Sequence, residues 1–135
     1  LDCACGAGVI ASYLMLTYPH LKMQLSDISA LAIYASAMTL AANGQSATLH
    51  AANGLYGIEG KVQHIVTNPP FHTGLKTDYT ITKRFIEDAR KMLSQSGTLQ
   101  MVANRFLPYP GLLAEHFPRV LTTAQTTQFS LYQAA

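Results

Sequence analysis

Cysteine is scarce in this chain of 135 residues, which carries only Cys3 and Cys5. They stand too close together for an ordinary bridge and are too few for a thiolate zinc site, which points to a reducing, cytoplasmic setting. Charge is also scarce, and the balance is only +2. The chain as a whole is therefore no polybasic nucleic-acid binder, though a local basic face stays open. No apolar run is long enough to span a membrane, and no basic n-region with an apolar h-region opens the chain. His20, His50, His64 and His116 are scattered without ligand spacing, so no metal is expected. There is no internal repeat, low-complexity tract or linker. The first residue is not Met and lies inside what reads as a strand, so the chain is expected to be a fragment lacking the start of its first strand.

Apolar residues make up 49% of what is present, enough for one globular domain with a core. Leu1–Cys3 reads as the end of a strand, Ala4–Gly8 as a small-residue loop, and Val9 to about Tyr18 as a helix stopped by Pro19. Small residues let a ligand approach the backbone, and the new helix offers free N–H groups to that space. Leu21–Ser26 reads as a second strand ending at Asp27, about twenty residues past the glycines, where strand-end carboxylates bind ribose hydroxyls in nucleotide-type α/β folds. The competing reading is that Asp27 or Ser29 caps the helix Ala30–Asn43, which Asn43-Gly44 then stops. Ala47–Ala51 is a third strand. Asn53 beyond it either reaches an adenine edge or makes an ordinary turn before Gly54.

Val62–Thr67 is a β-branched apolar run, hence a buried strand. It ends in Asn68-Pro69-Pro70-Phe71, where the prolines cannot donate to a ladder and hold Asn68 extended. The tip offers an amide, carbonyl oxygens and an aromatic ring at the carboxyl end of a strand, where open α/β sheets put their chemistry. A flat ring beside acceptors suits a planar amine; a packed Pro-Pro turn is the bland alternative. A polar loop follows through Thr77. Asp78–Ser94 then has helical spacing, Gly97 breaks to a strand at Thr98–Ala103, Arg105–Pro110 is a loop, and Gly111–Phe117 is a short helix. Arg119–Thr123 and Thr127–Ala134 close the chain as a hairpin. The expected fold is α/β, a mostly parallel sheet with helices on both faces and an antiparallel edge strand.

Leu1-Asp2, Cys5-Gly6, Gly8, Asp27 and Asn68-Pro69-Pro70-Phe71, in this order, resemble the class I methyltransferases that use S-adenosylmethionine and act on exocyclic amines. Ala41–Gly44, the extension through His72 and Gly74, and Ala103–Pro110 narrow the resemblance to the catalytic half of the bacterial small-subunit ribosomal RNA guanine-N2 methyltransferases of the C type. The resemblance implies a Rossmann-like fold, one catalytic domain over residues 1–135, and a further N-terminal domain that helps RNA binding and folding. It also implies a monomer, with no metal and no membrane. S-adenosylmethionine is the implied cofactor, with Asp2, Cys5, Gly6, Gly8, Asp27, Ile28 and Asn53 as its contacts. Asn68, Pro69, Pro70 and Phe71 are the implied catalytic tip, and His72 and Arg105 the implied substrate contacts. Ala4 departs from the family's pattern, which has glycine there, so a methyl group is expected to crowd the cofactor or shift the backbone.

The implied reaction methylates the N2 amine of a guanosine in 16S ribosomal RNA. Adenine-N6 or protein-glutamine methylation through the same tip, and a degenerate cofactor- or RNA-binding module, are the alternatives. Lys76, Lys83, Arg84, Arg90 and Lys91 read as a solvated helix face that could border RNA. The cut edge and uncovered apolar surface predict poor solubility.

Overall fold

The computed structural model describes residues 1–69 and 76–135, without the side chains of 76–79. It falls into two compact units, Leu1–Glu59 and Gly60–Ala135.

The first unit alternates β1 (Asp2–Cys3), α1 (Val9–Thr17), β2 (Gln24–Asp27), α2 (Ala30–Ala42) and β3 (Thr48–Ala51). The strands are parallel in the order β3-β2-β1, with Asp2 beside Leu25 and Leu25 beside Leu49. Right-handed crossovers that step the same way leave both helices on one face of these strands. There Ala11, Met15, Met23, Leu25 and Leu40 form the core with Cys5. Ser29 caps α2 by accepting the Ala32 amide at 3.3 Å. The helix stops because Gly44 adopts φ +63°, which lets the Gly44 and Gln45 amides reach the Ala41 and Leu40 carbonyls. Neither helix carries a charge, and Val9, Tyr13, Leu16, Leu31, Tyr34 and Met38 are exposed, as the expectation of uncovered apolar surface requires.

The second unit runs β4 (Val62–Thr67), α3 (Lys76–Met92), β5 (Leu93–Asn104), α4 (Tyr109–Ala114), β6 (Val120–Gln125) and β7 (Phe129–Ala134). The strand order is β4-β5-β7-β6, parallel between β4 and β5 and antiparallel across β5-β7-β6. One face of α3 meets three consecutive residues after α4. Lys83 pairs with Glu115 at 3.1 Å, Glu87 faces His116 at 3.9 Å, and Arg90 lies 5.9 Å over the Phe117 ring.

Three boundaries differ from expectation. Gly97 does not break the chain before a strand; it lies inside β5, which begins at Leu93. A Cβ on Gly97 would stand 2.9 Å from the Gln63 carbonyl oxygen, so β4 passes too close for a side chain. The pairing jumps there, from Val62–Leu93 to His64–Thr98. The helix expected from Gly111 begins at Tyr109, because Pro110 falls in its first turn, where a missing N–H costs nothing. The loop expected to run through Thr77 gives way to α3 at Lys76.

Candidate functional site

In the first unit the loop after β1 is held from three sides. The Cys5 amide donates to the Ser26 carbonyl at 3.0 Å, tying the loop to β2. The Gly6 amide donates to Asp27 Oδ2 at 3.0 Å, while Oδ1 of the same carboxylate accepts the Ser29 amide at 2.9 Å. Ser36, fully buried on α2, donates to the Gly6 carbonyl at 2.9 Å and sits 3.3 Å from Cys5 Sγ. Of the two roles that its sequence position left open, capping α2 falls to Ser29, while Asp27 ties the loop to the start of that helix. Asp27 stays half-exposed at the strand end.

The two glycines serve different purposes. Gly6 has φ +54°, and a Cβ there would meet nothing within 4 Å, so its outer side is open. Gly8 has φ +72°, and a Cβ there would stand 2.9 Å from Ser36 Oγ and 3.2 Å from Leu25 Cδ2. Ala4, where glycine was expected, itself adopts φ +57°. It thus occupies the left-handed backbone region, at a steric cost of roughly 1–2 kcal/mol for an L-residue.

Asp2 is fully buried beneath this loop. Its Oδ2 accepts the Ala11 amide at 3.1 Å, and its Oδ1 is buried without a partner among the described residues. Burial pushes its carboxyl up to about 6, opposed by the Ala11 hydrogen bond and helped by the Asp27 charge. Burial likewise raises the Cys5 thiol, and that of Cys3 to about 11, so both stay protonated at neutral pH. At the same end of the strands, Ile28 is 71% exposed. Asn53 is exposed in a turn closed by the Tyr56 amide on its carbonyl, and Gly54 has φ +63°. That turn is anchored to β2 by the Ala52 amide on the Asp27 carbonyl and by the Ser26 hydroxyl on the Gly54 carbonyl.

In the second unit Asn68 stands exposed, and Pro69 half-buried, just past the carboxyl end of β4. Pro70, Phe71 and His72 lie outside the described residues. Thr67 pairs with Met101, so the parallel β5 carries its own carboxyl end, Asn104, to the same side. Asn104 Oδ1 accepts the Phe106 amide at 3.1 Å, and the Arg105 amide donates to the Gln128 carbonyl at 2.9 Å. This tight turn presents Arg105 and an 81% exposed Phe106 to solvent. The other histidines have local neighbours. His50 meets Gln24 at 2.8 Å, His64 meets Thr98 at 2.9 Å, and His20 stands edge-on to Tyr18.

Sequence reasoning missed Ser36 and gave Phe106 no role of its own. Ser36 could have been suspected as a polar residue on the inward face of an otherwise apolar, Ala-rich helix. Its target is fixed only by the packing of α2 on the loop.

A family model described as "Methyltransferase small domain" matches residues 1–133. Among curated proteins, the chain is 74% identical over 134 residues to the ribosomal RNA small subunit methyltransferase C of Alteromonas mediterranea, covering 99% of this chain. It is 45% identical over 132 residues to the protein of that name from Pseudoalteromonas atlantica, covering 98% of this chain. It spans 37% and 38% of those proteins' lengths. Among solved structures, it is similar to the T. thermophilus 16S rRNA N2 G1207 methyltransferase in complex with AdoMet and guanosine. The TM-score is 0.82 and the identity 25%, over 98% of this chain and 36% of that one. Its fold is also that of a ribosomal protein L11 methylase from Lactobacillus delbrueckii subsp. bulgaricus, with TM-score 0.80 and 21% identity over 98% of this chain and 67% of that one. The mostly parallel, Rossmann-like architecture with an antiparallel edge expected from the sequence is thus the one found.

Proposed function

The chain belongs to the methyltransferase small domain family, and from that premise we propose that it transfers a methyl group from S-adenosylmethionine to the exocyclic N2 amine of a guanosine in small-subunit ribosomal RNA. The observation that carries the reading is the loop at Cys5–Gly8, pinned by Asp27 and Ser36 around a glycine whose outer side is open. The 74% identity to a protein named as a small-subunit ribosomal RNA methyltransferase supports the substrate class. The guanosine bound in a structure of similar fold supports the base.

The residues present fit the cofactor. S-adenosylmethionine supplies an electrophilic methyl group on a sulfonium sulfur and also carries an ammonium, ribose hydroxyls and an adenine. Oδ1 of Asp2, buried without a partner among the described residues, is an acceptor in need of a donor, which an ammonium would supply. Gly6 and Gly8 admit close backbone approach, and Cys5 holds the loop. Asp27 is the carboxylate for ribose hydroxyls, Ile28 gives an exposed apolar surface for a flat base, and Asn53 gives an amide for the adenine edge.

On the substrate side, the guanine N2 lone pair is delocalised into the ring and is a weak nucleophile. Asn68 Oδ1 and the Pro69 carbonyl would accept the two amine hydrogens and orient the nitrogen for transfer; Phe71 and His72, outside the described residues, are the proposed base-stacking and substrate contacts. When bound, the cofactor would supply its methyl with the C–S electron pair leaving on sulfur, and the surplus N2 proton would pass to solvent. Catalysis is then mainly positioning, with no strong general base required. N2 is paired in duplex RNA, so the base is unpaired or flipped before reaction. Arg105 contacts phosphate. The enzyme works in the cytoplasm on the small ribosomal subunit, as a monomer in which residues 1–135 form one catalytic domain. Among the described residues no helix is long and apolar enough to cross a membrane.

The test is Asn68→Ala, assayed for cofactor binding by calorimetry and for methyl transfer from radiolabelled cofactor to small ribosomal subunits. Cofactor affinity should stay within about twofold while kcat falls roughly 10²-fold or more, the scale of losing one preorganised hydrogen-bonding group at a reacting centre. Undiminished transfer would remove Asn68 from the mechanism. Transfer to neither RNA nor protein by a wild-type chain that binds cofactor would favour the non-catalytic module.

A further inference from the structure

Ser36 is the one buried polar side chain that reaches the glycine loop from α2. Its hydroxyl has a single proton, and the 2.9 Å contact to the Gly6 carbonyl uses it. The 3.3 Å contact to Cys5 Sγ therefore runs the other way, with the thiol donating to Ser36 Oγ. Cys5 Sγ also stands 3.9 Å from the Gly6 carbonyl, so the thiol and the Ser36 hydroxyl, in contact with each other, converge on that one group. The Gly6 amide is already committed to Asp27 Oδ2.

These bonds fix the peptide plane that follows Gly6. In a trans peptide the carbonyl and the next N–H point opposite ways. Because Ser36 takes the Gly6 carbonyl from the α2 side, the Ala7 N–H points away from α2. It has no partner among the described residues, and Ala7 is exposed. Glycine at φ +54° resists a flip of this plane less than other residues do. A flip would replace the outward N–H with a carbonyl oxygen. Gly8 is part of the same device, since only a residue without Cβ leaves the Ser36 hydroxyl its place.

We infer that Ser36 is a positioning residue for the cofactor loop: it holds the Gly6–Ala7 peptide with its N–H facing the ligand and so sets affinity for S-adenosylmethionine without touching it. The inference deepens the function proposed above and rests on it.

Calorimetric titration of S-adenosylmethionine into the 135-residue chain tests it, with thermal melts alongside. Ser36→Ala should bind roughly tenfold more weakly, the factor expected for one lost hydrogen bond to a preorganised group. Ser36→Cys, close in volume but a much weaker donor, should fall between it and wild type and keep the fold. Leu40→Ala is buried on the same helix but away from the loop. It should lower the melting temperature at least as much as Ser36→Ala while binding like wild type well below that melt. Wild-type affinity in both Ser36 variants would overturn the inference, as would an equal loss in Leu40→Ala, which would reduce Ser36 to general stability. No binding by a folded wild-type chain would overturn the cofactor reading itself, and the inference with it.

Discussion

The Asp27 carboxylate and the Gly6 amide are 21 residues apart in sequence and 3.0 Å apart in space. The acid at the end of β2 and the loop after β1 are therefore one structure. Replacing the acid moves the loop as well as removing a ribose acceptor. Asp27→Ala frees both the Gly6 and the Ser29 amides, whereas Asp27→Asn retains an acceptor oxygen. Calorimetry should show cofactor affinity falling roughly 100-fold in the alanine variant and less in the asparagine variant, since hydrogen bonds to charged groups are worth about 1.5–3 kcal/mol. Equal, small losses in both would mean that Asp27 serves only the backbone at the start of α2.

Ala4 occupies a backbone region that glycine enters freely. Ala4→Gly should therefore stabilise the protein, by up to about 1 kcal/mol once the extra unfolded-state freedom of glycine is subtracted. Urea denaturation measures this directly. A loss of stability would show that the Ala4 methyl packs usefully enough to outweigh its strain.

Asp2 makes stability depend on pH in a sense opposite to most carboxylates. Burial lifts its pKa from 3.8 to about 6, so the folded state binds the proton more tightly than the unfolded state does. The stabilising contribution is full below about pH 4, is lost as pH rises through 6, and is on the order of 3 kcal/mol. Asp2→Asn keeps an acceptor for the Ala11 amide and removes the titration. The variant's stability relative to wild type should thus rise between pH 4.5 and 7.5, and parallel curves would place the raised pKa elsewhere.

Arg105 and Phe106 stand out from a turn that Asn104 Oδ1 closes, so neither side chain is needed to form it. Arg105→Ala should weaken RNA binding uniformly across sequences and reduce the salt slope by about 1. Phe106→Ala should cost roughly 1–3 kcal/mol if its ring stacks on a base, with the salt slope unchanged. Filter binding at several salt concentrations separates the two, and an unchanged affinity in both variants would take this turn out of the RNA surface.

The sequence by itself determined whatever is written in neighbouring residues. The strand–helix alternation, the Asn43-Gly44 stop and the Asn68-Pro69 strand end are local matters of periodicity, φ preference and missing donors, and the structure has them within a residue or two. The outlying boundaries failed where a local signal met a distant neighbour. Gly97 reads as a breaker, yet it is a glycine because the β4 backbone at Gln63 leaves no room for more. The site divides the same way. Gly6, Gly8 and Asp27 were visible by type and spacing, but only tertiary structure assigned Gly8 to making room for Ser36, Gly6 to an open side, and Ala4 to a left-handed turn. The role of Gly8 is set by a contact with Ser36, about thirty positions away. Periodicity carries no record of such contacts, because side-chain spacing fixes which face is buried and not which atom it meets.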